Sequence, residues 1–390
     1  MNSSMGRQGW TSHVFGNLVK NINDYFDSVR DGILPYVAGP HISLGKIMIS
    51  AYGSTADDDF PPTFKRRFHP GDVLLHSRGI EKLAVVDRIG VTGEKLFVLR
   101  TRDQSLLLQE FLPWLLLSAR VQAHLQDNFT GSVNKFLNWK PLSDMQVALP
   151  PIEEQKRLAD LLWASETHQE ALVKENTAVK VLRKKLLDQV LSAMSVETLP
   201  LESLIKPDTT ITYGIVQAGP EVENGVPYIR VSDMTDGQLS LEGMKRTAPE
   251  IAAKFKRSRV ETGDLVVALR GRTGLTLKVP DELAGANLTQ GTARVAINSE
   301  QINPDFVVAV MNSAWMASEI NRNAKGSTFT ELTLAALRNL PVPRLGLEKE
   351  AELLRDLRAM SHAEVATAHS LEKLRRTKST LLSSIFGDPQ

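Results

Sequence analysis

The chain has 390 residues, 42% of them hydrophobic, which exceeds one ordinary core and predicts about two or three domains. It contains no cysteine, which excludes disulfides and thiolate zinc sites and fits a reducing compartment. Its net charge is only +1, so any attraction for a polyanion must come from local basic faces.

The start, Met1 to Gly9, lacks the apolar core of a secretory signal, and the greasiest stretch, Leu106 to Leu117, is interrupted by Gln109, Glu110 and Pro113. Neither an export signal nor a membrane span of about 20 apolar residues is expected, and the chain is read as cytoplasmic. Residues 1–149 read as a first mixed domain, with strands at Val73–Leu75 and Lys95–Leu99 and a helix over Phe111–Leu125. Lys65 to Arg88 holds six basic residues against three acidic ones.

From Ile152 to Leu199 there is no glycine or proline, while Pro150-Pro151 and Pro200 bracket the segment. That pattern predicts one long helix within 150–196, of about 40 residues and on the order of 60 Å. Residues 197–344 form a second mixed domain, with strands at Val226–Val231, Asp264–Leu269 and Thr292–Ile297 and a helix over Pro304–Ile320. Lys254 to Lys278 carries seven basic residues against two acidic ones. Leu347 to Phe386 is again free of breakers between Gly346 and Gly387, predicting a second long helix within 345–390. The expected class is α+β.

The two halves repeat one another. Gly71-Asp72-Val73-Leu74-Leu75 with Arg78-Gly79 returns as Gly263-Asp264-Leu265-Val266-Val267 with Arg270-Gly271, 192 residues later (263 − 71). Gly131-Ser132 returns as Gly326-Ser327, Leu142 as Leu337 and Leu186-Leu187 as Leu381-Leu382, all at 195. A unit this long is a domain plus a helix, duplicated. Spacings of alternately three and four place Leu353, Leu357, Met360, Glu364, Thr367, Leu371, Leu374, Lys378, Leu381 and Ile385 on one stripe. Subtracting 195 gives Leu158, Leu162, Ser165, Gln169, Leu172, Asn176, Val179, Arg183, Leu186 and Val190, a seam in the same register. Such stripes predict an antiparallel pairing of the two helices, with the polar members helping to fix one register. A helix lying along its own domain is the alternative.

Motifs for catalysis are missing. There is no Walker loop and no Gly-x-Gly-x-x-Gly; Gly271-Arg272-Thr273-Gly274 has the wrong spacing. Asp59-Phe60-Pro61-Pro62-Thr63-Phe64 does not meet the amino-methyltransferase tetrad, because Phe60 intervenes and Thr63 takes the aromatic place. His69 and His76, or His362 and His369, are seven apart, not the three or four that chelates a metal on a helix, and no Gly-x-Ser-x-Gly elbow occurs. The expectation is a chain without catalysis, cofactor or metal of its own.

The order of domains and helices resembles the specificity subunit of type I restriction-modification systems. The likeness is carried by Leu142 to Arg157, with its Pro150-Pro151-Ile152-Glu153-Glu154-Gln155 junction, and by Tyr213–Gln217, Val226–Met234, Gly263–Gly274 and Ala286–Gly291. The second junction departs from the pattern: its prolines, Pro341 and Pro343, are split, and Glu350 stands where glutamine is expected. The resemblance implies two target recognition domains, each reading one half of an interrupted DNA site, held apart by paired antiparallel helices. A helix of ~60 Å exceeds one duplex turn of about 34 to 36 Å. It also implies partners: double-stranded DNA, two modification (methyltransferase) subunits, and restriction subunits that translocate on ATP and cleave. A protein-binding adaptor bridging two enzymes, with incidental DNA contact, stays open.

Base edges call for arginine, lysine, glutamine or threonine on loops, which singles out Arg78, Lys82 and Arg88 in the first domain. In the second it singles out Arg270, Arg272, Thr273, Lys278 and Gln290. Lys65, Arg66, Lys254, Lys256 and Arg257 are expected on phosphates. Gly131-Ser132 and Gly326-Ser327 are further candidates, for backbone amides against a phosphate or for plain helix caps.

Overall fold

A computed structural model describes residues 9–79, 82–132, 135–192, 197–235, 237–323 and 331–387. The chain divides into two compact units, Met1–Lys174 with Thr367–Gln390, and Glu175–Ala366. The two long helices, Ile152–Leu191 and Leu347–Phe386, each contribute one part to each unit. Among the described residues no helix is long and apolar enough to cross a membrane.

The strands of the first unit are β1 (Thr11–Val14), β2 (Val19–Asn21), β3 (Pro35–Val37), β4 (Gly53–Ser54), β5 (Arg66–Phe68), β6 (Val73–His76), β7 (Leu83–Val85), β8 (Gly90–Thr92), β9 (Leu96–Thr101) and β10 (Gln146–Leu149). They form sheets in the orders β2-β9-β6-β7 and β4-β3-β8-β5, plus a β1–β10 pair. In the second unit follow β11 (Thr198–Pro200), β12 (Thr212–Tyr213), β13 (Val226–Ile229), β14 (Met234–Thr235), β15 (Gln238–Leu239), β16 (Arg246–Thr247), β17 (Leu265–Ala268), β18 (Thr276–Lys278), β19 (Asn287–Leu288), β20 (Thr292–Val295) and β21 (Pro341–Pro343). Their orders, β12-β20-β17-β18 and β16-β13-β19 with a β11–β21 pair, follow the first unit except that β5 has no counterpart in the three-stranded sheet; a β14–β15 hairpin is added. Among the named strands of the described residues each unit has one parallel pairing, Tyr36↔Val91 in β3–β8 and Tyr228↔Asn287 in β13–β19.

The central strands explain why the repeated motif is apolar throughout. In β6, Val73 and Leu75 face a core shared with the helices, while Leu74 faces a second core against the other sheet. In β17, Leu265 and Val267 against Val266 and Ala268 divide the same way. A strand covered on both faces loses its alternation of apolar and polar residues.

Both predicted domain helices break in two. Leu112–Leu116 is followed by Ala119–Asp127, and Pro304–Met311 by Ala314–Asn323. The breaks fall at Ser118 and Ser313, 195 apart. The Ser118 hydroxyl donates to Leu115 O and accepts from Val121 N–H; Ser313 does the same with Val310 O and Met316 N–H. A serine that caps a new helix ends the previous one.

The helix seam follows the predicted series: every member of the second, and all of the first but Arg183, is at least partly buried. In the first unit Leu158, Leu162 and Trp163 pack in one cluster with Leu381, Leu382, Ile385 and Phe386, while Glu166 meets Lys378 at 2.6 Å, so the segments run antiparallel. In the second unit Leu186, Leu187 and Val190 share a cluster with Leu353, Leu354 and Leu357, and Arg183 pairs with Glu364 at 2.8 Å.

At the first junction Gln155 is buried. Its amide donates to Leu106 O and Pro150 O, and its oxygen accepts from Leu108 N–H. Glu350, 195 residues on, is equally buried but accepts only from Asn303 N–H, leaving Oε1 without a hydrogen bond. Both side chains tie a helix start to its own domain.

Candidate nucleic-acid interface

The repeated Gly-Asp pair builds the base of each recognition loop. Gly71 and Gly263 sit at φ of +87° and +84° in a tight turn, a conformation glycine adopts without a Cβ clash. The following carboxylate caps that turn, Asp72 accepting from His69 N–H and Asp264 from Glu261 N–H. Each is buried and paired with an arginine from the neighbouring strand: Arg100 Nε to Asp72 at 2.6 Å, Arg294 Nε to Asp264 at 2.6 Å. The two arginines are not equivalent residues. The pairings Val73↔Leu99 and Leu265↔Val295 make Arg294 equivalent to Val98, two residues before Arg100. A shift of two keeps a side chain on the same face of a strand, so either position reaches the aspartate.

At the other end of β6 and β17 stands the loop cluster. In the second unit Leu269 N–H bonds Gly291 O, Leu332 N–H bonds Leu269 O, and Gln290 N–H bonds Ile215 O, drawing the hairpin tip Arg270–Gly274 beside Thr289–Gly291 and Ile215. The Arg270 side chain lies along Gly291, where an added Cβ would stand 3.0 Å from its Nε. Arg270, Arg272 and Gln290 are exposed, as are Val216 and Gln217; Thr273 is half-buried. Arg272 donates to Met234 O at 2.8 Å.

The first unit repeats the arrangement: Ser77 N–H bonds Lys95 O and Leu137 N–H bonds Ser77 O. Its tip gathers Arg78, Lys82 and Lys95 around half-buried His76. Burial, then Lys82, Lys95 and Arg78, push the His76 imidazole below its ordinary pKa. Arg66 reaches the same loop through Leu96 O at 2.9 Å, and burial lowers its guanidinium pKa. Lys65 beside it is exposed.

Other candidates lie at the Gly-Asp end. Arg88 pairs with Asp87 at 2.8 Å and covers the Tyr52 ring at 4.6 Å; its hydrogen bond holds the Asp87 carboxyl down at about 2. Lys278, opposite Leu265, pairs with Asp305 at 2.5 Å. Lys254, Lys256 and Arg257 are exposed, and Arg257 O accepts from Arg294 beside Asp264. Gly131-Ser132 lies in a loop bridged by Thr130 and Phe136, and the next helix begins only at Trp139; Gly326-Ser327 lies outside the described residues.

The geometry singles out two residues that the sequence reading passed over, His76 and Lys95. A search at a fixed offset does not find Lys95, because the loop insertions put it 196 residues before Gly291.

No family model matches the chain. The type I restriction enzyme EcoBI specificity subunit of Escherichia coli is 25% identical over 273 residues, covering 63% of this chain and 56% of that protein. The match thus spans little more than half of that relative's length. A chain from a structural study of the assembly and conformational transition of the type I R-M system superposes with a TM-score of 0.61 at 18% identity, covering 97% of this chain and 98% of that one. The type I restriction-modification S subunit from M. genitalium gives 0.59 at 15% identity, covering 100% and 98%.

The fold is that of a type I specificity subunit. The structural neighbours cover the chain nearly from end to end, and the sequence relative covers 63% of it. In this specificity-subunit fold the two loop clusters hold equivalent places, one on each copy of the duplicated domain.

Proposed function

We propose that the chain is the sequence-reading subunit of a type I restriction-modification complex. Residues 1–149 and 197–344 are its two target recognition domains, and 150–196 and 345–390 supply the spacer helices. Each domain binds one half of an interrupted duplex site, Arg78 and Lys82 acting at the first tip, Arg270, Arg272, Thr273 and Gln290 at the second. Lys65, Arg66, Lys254, Lys256 and Arg257 hold phosphates. Arg88 and Lys278, committed to carboxylates in the free chain, would exchange those partners for DNA. Two modification subunits carry out methylation, and restriction subunits cleave.

What carries the reading is the recurrence of one basic loop cluster, assembled by the same backbone hydrogen bonds, on both copies of the domain. Duplication of a scaffold preserves strands; outward arginines at both hairpin tips fit a polyanion with two half-sites. The test is co-purification with the modification subunit encoded beside it, followed by duplex binding across a salt series. Tight, salt-sensitive binding to a bipartite site is expected. A complex that assembles but binds no duplex, and is indifferent to neutralising Arg270 and Arg272, would establish the adaptor reading instead.

A further inference from the structure

We propose that Arg270 reads a guanine in the half-site bound by the second domain, and that Gly291 is what lets it do so. This rests on the DNA-reading function above and adds to it the base recognised and the residue responsible.

Five other basic side chains of the domain, at this loop or elsewhere on its sheets, are committed inside it. Arg272 donates to Met234 O, Arg294 to Asp264, Arg230 to Asp233, Arg246 to Gly225 O, and Lys278 to Asp305. Arg270 is exposed, and no hydrogen bond or ion pair holds its guanidinium among the described residues. Its backbone, however, is fixed. Leu269 on one side is bonded to both Gly291 and Leu332, and Gly274 N–H closes the hairpin on Ala268 O. The side chain lies along Gly291 from Cγ to Nε, so the glycine sets where the guanidinium rests.

A positioned fork of N–H donors matches the O6 and N7 acceptors of guanine in the major groove. The adjacent exposed Gln290 offers a carboxamide, which suits the N6 and N7 of a neighbouring adenine. The first tip differs: Lys95 stands in the place of Gly291, and with Arg78 and Lys82 it forms a cationic cluster around His76, suited to phosphate. Equivalent arginines therefore face different surroundings, and Arg270 has the one suited to a base edge.

The experiment uses the complex with its modification subunits and duplexes carrying each base in turn across the half-site. The wild-type complex should prefer guanine at one position. Arg270→Gln should reduce that preference by roughly tenfold to a hundredfold, leaving the other half-site unchanged. Gly291→Ala should relax the same position with Arg270 intact, since the new methyl crowds Nε. Lys256→Gln, a phosphate control, should weaken all duplexes alike. Equal binding losses on every duplex in Arg270→Gln, or an unaltered guanine preference, would overturn the assignment. A wild-type complex that binds no duplex would instead remove the functional reading beneath it. Arg270 is exposed and has no partner among the described residues, so an unchanged unfolding midpoint checks that the variant folds.

Discussion

Asp72 and Asp264 show what a repeated residue is for when it lies beside a binding loop without belonging to it. Each carboxylate is buried against one arginine and caps one turn. Asp264→Asn should strand Arg294 and lower stability by about 3 to 5 kcal/mol in urea unfolding, the usual cost of removing one member of a buried pair. Arg294→Val should cost a similar amount, and adding Ala296→Arg, which copies the first domain's arrangement, should restore most of it; failure would show that the two positions are not interchangeable. His76 gives a pH test. Its folded pKa lies below the unfolded value of about 6.5, so the unfolded chain takes up the proton more readily and stability falls as pH drops through that value. His76→Gln should flatten the stability profile between about pH 7 and 5. At this scale the sequence exposed Gly-Asp but not its role, because the arginine partner moves by two residues between copies.

The helices were the most legible elements. An absence of breakers over some 40 residues and a three-four stripe reveal the helices and their buried face, because both signals come from the helix itself, although the first breaker-free run overshoots the helix end at Leu191 into a strand at Thr198–Pro200. Less visible was how the polar seam members are satisfied. Lys378, equivalent to Arg183, pairs with Glu166, whose other oxygen accepts from Ile47 N–H in the globular part. Lys378→Met should therefore cost about 3 kcal/mol by leaving a buried carboxylate unpaired, and adding Glu166→Gln should recover much of it. At the junctions the departure of Glu350 from glutamine concerns internal bonding: Glu350→Gln should raise stability by about 1 kcal/mol, read as a higher denaturation midpoint. The double helices after Ser118 and Ser313 were missed because apolar periodicity runs through the break, while the serine cap acts locally.

Across the whole chain the duplication governs the account. Its offset is 192 at Ser77 and Leu269, 196 at Lys95 and Gly291, and 195 at Leu137 and Leu332, so four residues are added between β6 and β9 and one is lost after β9. The scaffold holds its register while the hairpins and the strand connections vary. That is the pattern of a fold whose strands bear packing and whose loops bear selectivity. The three basic residues Lys254, Lys256 and Arg257 are exposed, and neutralising each should lower the salt dependence of duplex binding by about one counterion without changing the preferred sequence. The central claim is that this chain chooses a two-part DNA target for partner methyltransferase subunits. Genome-wide mapping of methylated adenine in the host, with and without the gene, tests it most directly. Loss of one bipartite motif on deletion, restored by complementation, is the expected result; a methylation pattern identical in both strains, with the modification subunit expressed, would contradict it.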